Sequence, residues 1–466
     1  MYGCQQVLLK PAPELAAVLE FICAEANKLM NCGIYYARQI WFKCRRIIGK
    51  YDLEKEYKSH KHFQALYSQA AQQALRTVSE SFKSFEGLNK AFKKGKITEK
   101  PRPPKYLKKG GTSVVSYPKQ ALKLKDGHIR IPLGTLIKTW FKLADFVIPM
   151  PSNLDFRDIK ELRILPRNGC FYAEFVYLLP SVKADINPNR VLGIDPGLNN
   201  WLTCISNIGT SFIVDGRKLK SLNQFYNKRV ACIKLGKAQG FWNEQLASIT
   251  EKRNRQVRDA VNKAARVVIN HCLTHQIGTV VFGWNQRHKD GIELGKKNNQ
   301  QFVQIPTARL KERVKQLCEQ HGIQFVETEE SYTSKASFLD RDFLPVFGNQ
   351  PEGWKPSGRR VKRGMYRTKN GEFVNADANG AANILRKVEI QLGLDLARVC
   401  RASLTAPSRM FLWNSKKIKL AGRCFNPSLS IRLESPVIYA GEKSTNNSTG
   451  RVREKFGSSP QNIARG

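Results

Sequence analysis

The chain has 466 residues, and its 78 Lys and Arg against 38 Asp and Glu leave a formal net charge of +40. Its length gives room for two or three domains, and 41% hydrophobic residues is the composition of a soluble globular protein, which excludes a small disulfide-stapled scaffold. The charge calls for a polyanionic partner. Nucleic acid leads; the alternative is a solvated basic surface of the ribosomal or membrane-associated kind, because charge alone does not choose among polyanions.

None of the eleven cysteines forms a Cys-x-x-Cys pair. They read as reduced thiols of a cytosolic protein, packed mostly as small hydrophobes. Along the first apolar stretch, Leu15 to Leu29, Glu14, Glu20 and Glu25 recur at helical spacing. The stretch is therefore neither a signal peptide nor a membrane span, and no membrane partner is expected.

In chain order, a short strand over Gln6 to Lys10 precedes a helix with Pro13 in its first turn and Leu15, Val18, Leu19, Ile22, Ala26 and Leu29 on one face. A second amphipathic helix carries Phe63, Leu66, Tyr67, Ala70, Ala74, Leu75, Val78, Phe82 and Phe85, enough to pack on the first as a bundle. Lysines and arginines then crowd residues 93–109 among Pro101, Pro103 and Pro104, so no regular helix fits. Lys105 and Tyr106 there are candidates for nucleic-acid backbone and base stacking, set against a flexible charged linker. From 112 to 180 the pattern alternates as in strands, and Asn168-Gly169 between two alternating runs predicts a hairpin. Residues 1–10 and 99–189 read as one β-barrel module, into which a helical bundle, 11–98, is inserted.

The second half opens with three predicted strands, Val191–Ile194, Trp201–Ser206 and Ser211–Val214. A long helix follows, with Arg253, Arg255, Arg258, Lys263 and Arg266 opposite an apolar face; Arg253, Arg255 and Lys263 are candidate nucleic-acid contacts. Next come a strand at Thr279–Phe282, a helix at Thr307–His321, a strand at Ile323–Glu327, a basic Gly/Pro excursion over 340–371 and a helix from Asp377. A β-meander followed by alternating helices and strands is the order of an RNase H-like α/β sheet. Beyond about 396 the pattern weakens, and a C-terminal extension, 396–466, reads as largely disordered.

Three stretches bring acids to strand ends or a helix start: Val191-Leu-Gly-Ile-Asp195-Pro-Gly, Glu327-Thr-Glu-Glu-Ser-Tyr-Thr-Ser-Lys335 and Asn375-Ala-Asp377-Ala-Asn-Gly-Ala-Ala-Asn-Ile-Leu385. Carboxylates so placed can ligate a hard cation. Taken singly, Asp195-Pro-Gly is also a good turn, Asp377 a good helix N-cap, and Glu327, Glu329 and Glu330 an acidic turn balancing lysines. Taken together, small residues beside Asp377 would let its helix pack closely on the sheet and bring its carboxylate near Asp195. Two-metal phosphodiester hydrolysis needs three or so carboxylates arranged that way.

The chain resembles the transposon-encoded TnpB (OrfB) family, RNA-guided DNA endonucleases regarded as ancestral to the type V CRISPR effectors. The resemblance rests on Ala26-Asn-Lys-Leu-Met-Asn31, Lys252-Arg-Asn-Arg-Gln-Val-Arg-Asp259, Phe282-Gly-Trp-Asn285, Leu294-Gly-Lys-Lys-Asn-Asn-Gln300, Ile305-Pro306, Glu330-Ser-Tyr-Thr-Ser-Lys335, Ser357-Gly-Arg-Arg360 and Asn375-Ala-Asp-Ala-Asn379, in that order. It implies a RuvC-like nuclease domain over 190–395, with Asp195 in the first acidic block and Asp377 in the third. It also implies Mg²⁺ or Mn²⁺ as cofactor, guide RNA with double- and single-stranded DNA as partners, and a cytoplasmic, nucleoid-associated prokaryotic setting.

Two departures stand out. The family commonly has a glutamate at the end of the strand that here reads Val280-Val-Phe-Gly283. Either the third ligand has moved to Glu330 or the nuclease is dead and acts by target occupancy. Where many relatives carry a Cys-x-x-Cys ribbon, within 332–374, this chain has no thiols, so no structural zinc is expected. Arg359 and Arg360 there are candidate nucleic-acid contacts, weighed against a solvated loop. A remoter reading, an actin- or kinase-like ATPase, fits Asp-Pro-Gly but lacks a further glycine-rich phosphate loop.

Overall fold

The structure is a computed structural model that describes residues 2–180, 182, 184–285 and 305–413. The Leu294–Gln300 block and the tail from 414, expected to be disordered, lie outside the described residues.

Strand β1 (Tyr2–Leu8) leads into a helix, Pro13–Cys44, whose first turn accommodates Pro13. The single second helix expected from Phe63 to Phe85 is instead split. Helices Lys50–Tyr57 and Lys61–Gln64 precede Ser68–Lys93, whose N-cap, Tyr67, is extended at ψ 134°. Gly134 packs on the backbone at this break, where a Cβ would sit 2.7 Å from the Ala65 carbonyl oxygen. The apolar period runs through Leu66 and Tyr67 regardless, so periodicity could not reveal the break.

The helices pack beside seven short strands, all but the exposed third contributing to one shared core. After β1 these are β2 (Val115–Pro118), β3 (Lys123–Lys125), β4 (His128–Pro132), β5 (Asp145–Pro149), β6 (Ile159–Arg167) and β7 (Cys170–Leu178). Asn168 and Gly169, at φ 48° and 73°, turn β6 into β7 with the left-handed backbone that Asn-Gly tolerates. The strands form two antiparallel sheets, β1-β7-β6-β2 and β3-β4-β5, and no pairing among the described residues closes them into one barrel. Because β1 pairs with β7, the helices 13–93 interrupt a sheet that is completed only later in the chain.

The second lobe is an α/β unit with an RNase H-like strand order. Strands β8 (Asn187–Pro196), β9 (Asn200–Ser206) and β10 (Ser211–Asp215) form the antiparallel meander, and β11 (Ile277–Gly283) and β12 (Gln324–Thr328) run parallel to β8. A small antiparallel sheet, β13 (Arg359–Lys362), β14 (Met365–Arg367) and β15 (Phe373–Asn375), leads into helix Ala376–Lys387. The main sheet continues past residue 395. Strand β16 (Ser408–Met410) lies parallel to β10, giving the order β12-β11-β8-β9-β10-β16.

Side chains along β8 and β11 alternate between two cores. Leu192, Ile194, Val280 and Phe282 face the helices Glu244–Thr274 and Thr307–Gln320, whereas Val191 and Val281 face helix Ala376–Lys387. With a period of two, Asp195 and Gly283 belong to the second face. The cysteines are mixed: Cys23, Cys204, Cys272 and Cys318 are buried, but Cys4, Cys44, Cys232 and Cys400 are exposed. Among the described residues no helix is long and apolar enough to cross a membrane.

Candidate active site

Strand period and helix position together assemble the site. Asp195 lies near the end of β8, and the first turn of helix Ala376–Lys387 carries Asp377. The cap of that helix is Asn375, not Asp377: the Asn375 side chain accepts from the Asp377 and Ala378 amides at 3.0 and 3.1 Å. The Asp377 carboxylate is thereby released to face outward, where it accepts from Asn200 Nδ2 at 2.6 Å and from Arg360 at 2.8 Å.

Close packing brings the helix onto Asp195. A Cβ on Gly380 would lie 2.8 Å from Asp195 Oδ2, so a side chain there would displace the carboxylate. Desolvation, reinforced by the negative charges of Glu330 and Asp377 and opposed by Arg360, pushes the Asp195 carboxyl well above the usual carboxylate range. The three acids are thus electrostatic neighbours around the half-buried Asp195 carboxyl.

All three clustered glutamates have partners. Glu327 pairs with Lys311 at 2.7 Å and Glu329 with Lys387. Glu330 follows by two residues Thr328, which lies opposite Gly283 in the β11–β12 ladder. Its amide donates to Asn285 Oδ1 at 3.1 Å, at the end of β11. The loop after it is pinned to the helix: Asn383 Nδ2 donates to the carbonyls of Thr333 and Ala336, Asn379 Nδ2 also donates to Ala336, and Asn379 Oδ1 accepts from the Phe338 amide. Both asparagines are fully buried.

At Gly283 there is little room for a side chain. A Cβ would meet Ile384 Cδ1 at 2.5 Å.

The basic candidates separate by environment. Arg253 is half-buried, donates to Asn223 at 2.9 Å and covers the Tyr226 ring, so it ties helix Arg217–Lys234 to helix Glu244–Thr274. Lys263 pairs with Asp259 at 2.7 Å, and Arg360 faces Asp377. Lys105, Arg255 and Arg359 are exposed, and Tyr106 is 50% exposed with the Arg38 guanidinium over its ring.

Sequence reasoning missed Asn200, Asn285, Asn379, Asn383 and Arg409. Arg409, from β16, bonds Asn200 Oδ1 at 2.8 Å and thereby orients the amide that holds Asp377. Only the repeated asparagines in Asn375-x-x-x-Asn379-x-x-x-Asn383 gave a signal, a stripe along one helix face.

Three carboxylates with acceptor-only oxygens, one of them desolvated among like charges, are a donor set that suits a hard divalent cation. Residues 174–288 match the OrfB_IS605 family model, described as "Probable transposase". No curated protein matches the chain. Among solved structures, the Cas12f1 chain of a Cas12f1-sgRNA-target DNA complex is similar with TM-score 0.53 and 16% identity over 80% of this chain and 83% of that one. The mini-RNA-guided endonuclease CRISPR-Cas_phi3 is similar with TM-score 0.40 and 10% identity over 83% of this chain and 92% of that one. The chain thus carries, over residues 174–288, a segment similar to the OrfB_IS605 family, and it shares its fold with the Cas12f1 chain.

Proposed function

We propose that the chain is an RNA-guided DNA endonuclease of a transposable element, in which Asp195, Glu330 and Asp377 hold Mg²⁺ or Mn²⁺. The observation that supports this reading is that Glu330 and Asp377 both lie near enough to Asp195 to add, after desolvation, to the rise of its carboxyl above the usual carboxylate range. When bound, paired divalent ions would stabilise the charge that develops on the oxygens of a phosphodiester in displacement. The chain's own residues set the site for them: Gly380 seats Asp195, Asn200 and Arg360 fix the Asp377 carboxylate, and Asn379 with Asn383 anchors the loop that carries Glu330. Relocation of the third carboxylate to Glu330 is supported by the packing around Gly283 and by the charge of Glu330 acting on the Asp195 carboxyl.

In this reading the N-terminal lobe, a two-sheet module with its inserted helical bundle, and the basic surface including Lys105, Tyr106, Arg255 and Arg359 engage guide RNA and single- and double-stranded target DNA. The protein reads mainly backbone and duplex shape, and pairing reads sequence. The setting is the prokaryotic cytoplasm, on nucleoid DNA.

Gly283 motivates a second reading, a nuclease-dead protein that acts by occupying its target. The experiment that separates the two is Mg²⁺-dependent cleavage of a guide-matched plasmid by the protein with its co-purified RNA, alongside target binding. Cleavage by wild type, lost in Glu330→Ala, Asp195→Ala and Asp377→Ala with binding retained, is expected. Guided binding without cleavage in wild type makes occupancy the function.

A further inference from the structure

A second cluster of metal-competent side chains lies among the N-terminal helices. Cys32, on helix Pro13–Cys44, and His60 and His62, at the start of helix Lys61–Gln64, place their ligand atoms within 4.8 Å of one another. All three residues are half-buried.

The hydrogen bonds around the cluster prepare the nitrogens. His62 Nδ1 lies 2.6 Å from Glu25 Oε2, and a carboxylate accepts, so Nδ1 carries the proton and Nε2 keeps its lone pair. Glu25 precedes Cys32 by seven residues on the same helix face. His60 Nδ1 accepts a long 3.3 Å bond from the His62 amide and is therefore the unprotonated nitrogen of its ring; zinc at this nitrogen takes its lone pair and replaces that bond. Tyr57 donates to the Cys32 carbonyl at 2.9 Å, and its ring meets that of His60 edge-on, which fixes the two segments against each other.

We propose that Cys32, His60 and His62 bind one zinc ion, with Glu25 as the outer carboxylate that orients His62. One thiolate and two imidazoles form a borderline-soft donor set that favours Zn²⁺ over Mg²⁺ or Ca²⁺. A carboxylate behind a ligating histidine is the usual second layer of such sites and fixes its tautomer. With three protein ligands, the fourth tetrahedral position falls to water. Binding displaces the Cys32 thiol proton to solvent. The ion clamps the long first helix to the turn at which the helical run breaks, on the wall of a cavity of about 460 Å³ that Cys32 and His60 share with Tyr35, Tyr57, Tyr106 and Lys109. It is independent of the carboxylates of the nuclease lobe and of the thiol-free 332–374 segment.

The test is titration of the full-length, metal-stripped chain with Co²⁺, followed by absorption and by Zn²⁺ competition. One equivalent of Co²⁺ is expected to produce a near-ultraviolet thiolate-to-cobalt charge-transfer band, which carboxylate ligands cannot give. Equimolar Zn²⁺ should erase it and excess Mg²⁺ should not. Cys32→Ser should lose the band, and Glu25→Gln should weaken Co²⁺ affinity about 10- to 100-fold. Absence of the band in wild type overturns the proposal whether or not the variants fold. So does a band of undiminished intensity in Cys32→Ser, which would assign it to another cysteine.

Discussion

Gly380 lies against Asp195 so closely that a Cβ would fall 2.8 Å from Oδ2 and 3.5 Å from Cγ of the carboxyl. Gly380→Ala must therefore push either the helix or the carboxyl aside. A displacement of about 1 Å at a reacting centre costs about a hundredfold in rate. Cleavage by Gly380→Ala is expected to fall by that order while guided target binding is unchanged. Wild-type cleavage kinetics in the variant would show that this contact does not position Asp195.

Restoring a glutamate at Gly283 should not by itself replace Glu330. Its Cβ would overlap Ile384 Cδ1 at 2.5 Å, and overpacking of this kind costs about 1–3 kcal/mol. Gly283→Glu combined with Glu330→Ala is expected to remain inactive and to melt lower than wild type. Adding Ile384→Ala opens the space, and partial return of cleavage is expected only then. Full activity of Gly283→Glu, Glu330→Ala without the third change would contradict the packing argument.

Asp195 also sets a pH dependence. Its folded-state pKa is raised above the ordinary 3.8 by desolvation first and by Glu330 and Asp377 next, so the folded chain holds a proton that the unfolded chain releases. The resulting stability is fully present below the ordinary value and is lost as pH rises through the raised one. In metal-free protein at neutral pH, Asp195→Asn should therefore raise Tm, since it removes a desolvated charge. In wild type, the rise in Tm caused by Mg²⁺ should grow with pH, because cation and proton compete. Thermal melts over a pH series check both, and a lower Tm for Asp195→Asn would refute the electrostatic argument.

The two lobes are bonded through Glu251, which is 1% exposed. It accepts from Tyr172 Oη at 2.5 Å, Asn168 Nδ2 at 3.0 Å and Arg258 at 3.1 Å, joining helix Glu244–Thr274 to the β6–β7 hairpin. Burial pushes its carboxyl up, but these bonds outweigh it and leave the pKa lowered. The sign is opposite to that of Asp195: this stability is present above the ordinary glutamate value and is lost as pH falls through the lowered one. Glu251→Ala should cost about 3 kcal/mol, and Glu251→Gln should lose part of the acid-side dependence of Tm. Chemical denaturation of both variants over an acidic pH series provides the measurement, and unaltered stability would mean that the lobes do not depend on this contact.

The meander β8-β9-β10 was legible because short continuous apolar runs bounded by turn residues report strands buried on both faces, and Asn168-Gly169 reports its own turn. Asp195 and Asp377 could be singled out because acids at a strand end and a helix start are unusual in a chain of this charge. The sequence could not say that Asn375 is the cap. Asn375 and Asp377 are both good capping residues, and only the backbone of the formed helix selects one.

Other choices belong to the tertiary structure. Arg253 and Arg255 look alike in sequence, yet one is packed on Tyr226 and the other is exposed. Glu327, Glu329 and Glu330 are adjacent acids until Lys311 and Lys387, from two different helices, pair with the first two. The same holds for Arg409, nearly two hundred residues from the sheet strand it joins, and for Cys32, which has no ligand-spaced neighbour in sequence. Periodicity, turn chemistry and net charge act over one turn or are summed over the chain, so the amino-acid order alone determined a basic α/β protein with strands and helices in RNase H-like order. Which side chains converge depends on strand register, on where helices break and on contacts that close only when distant segments pack, so the folded chain alone decided the site.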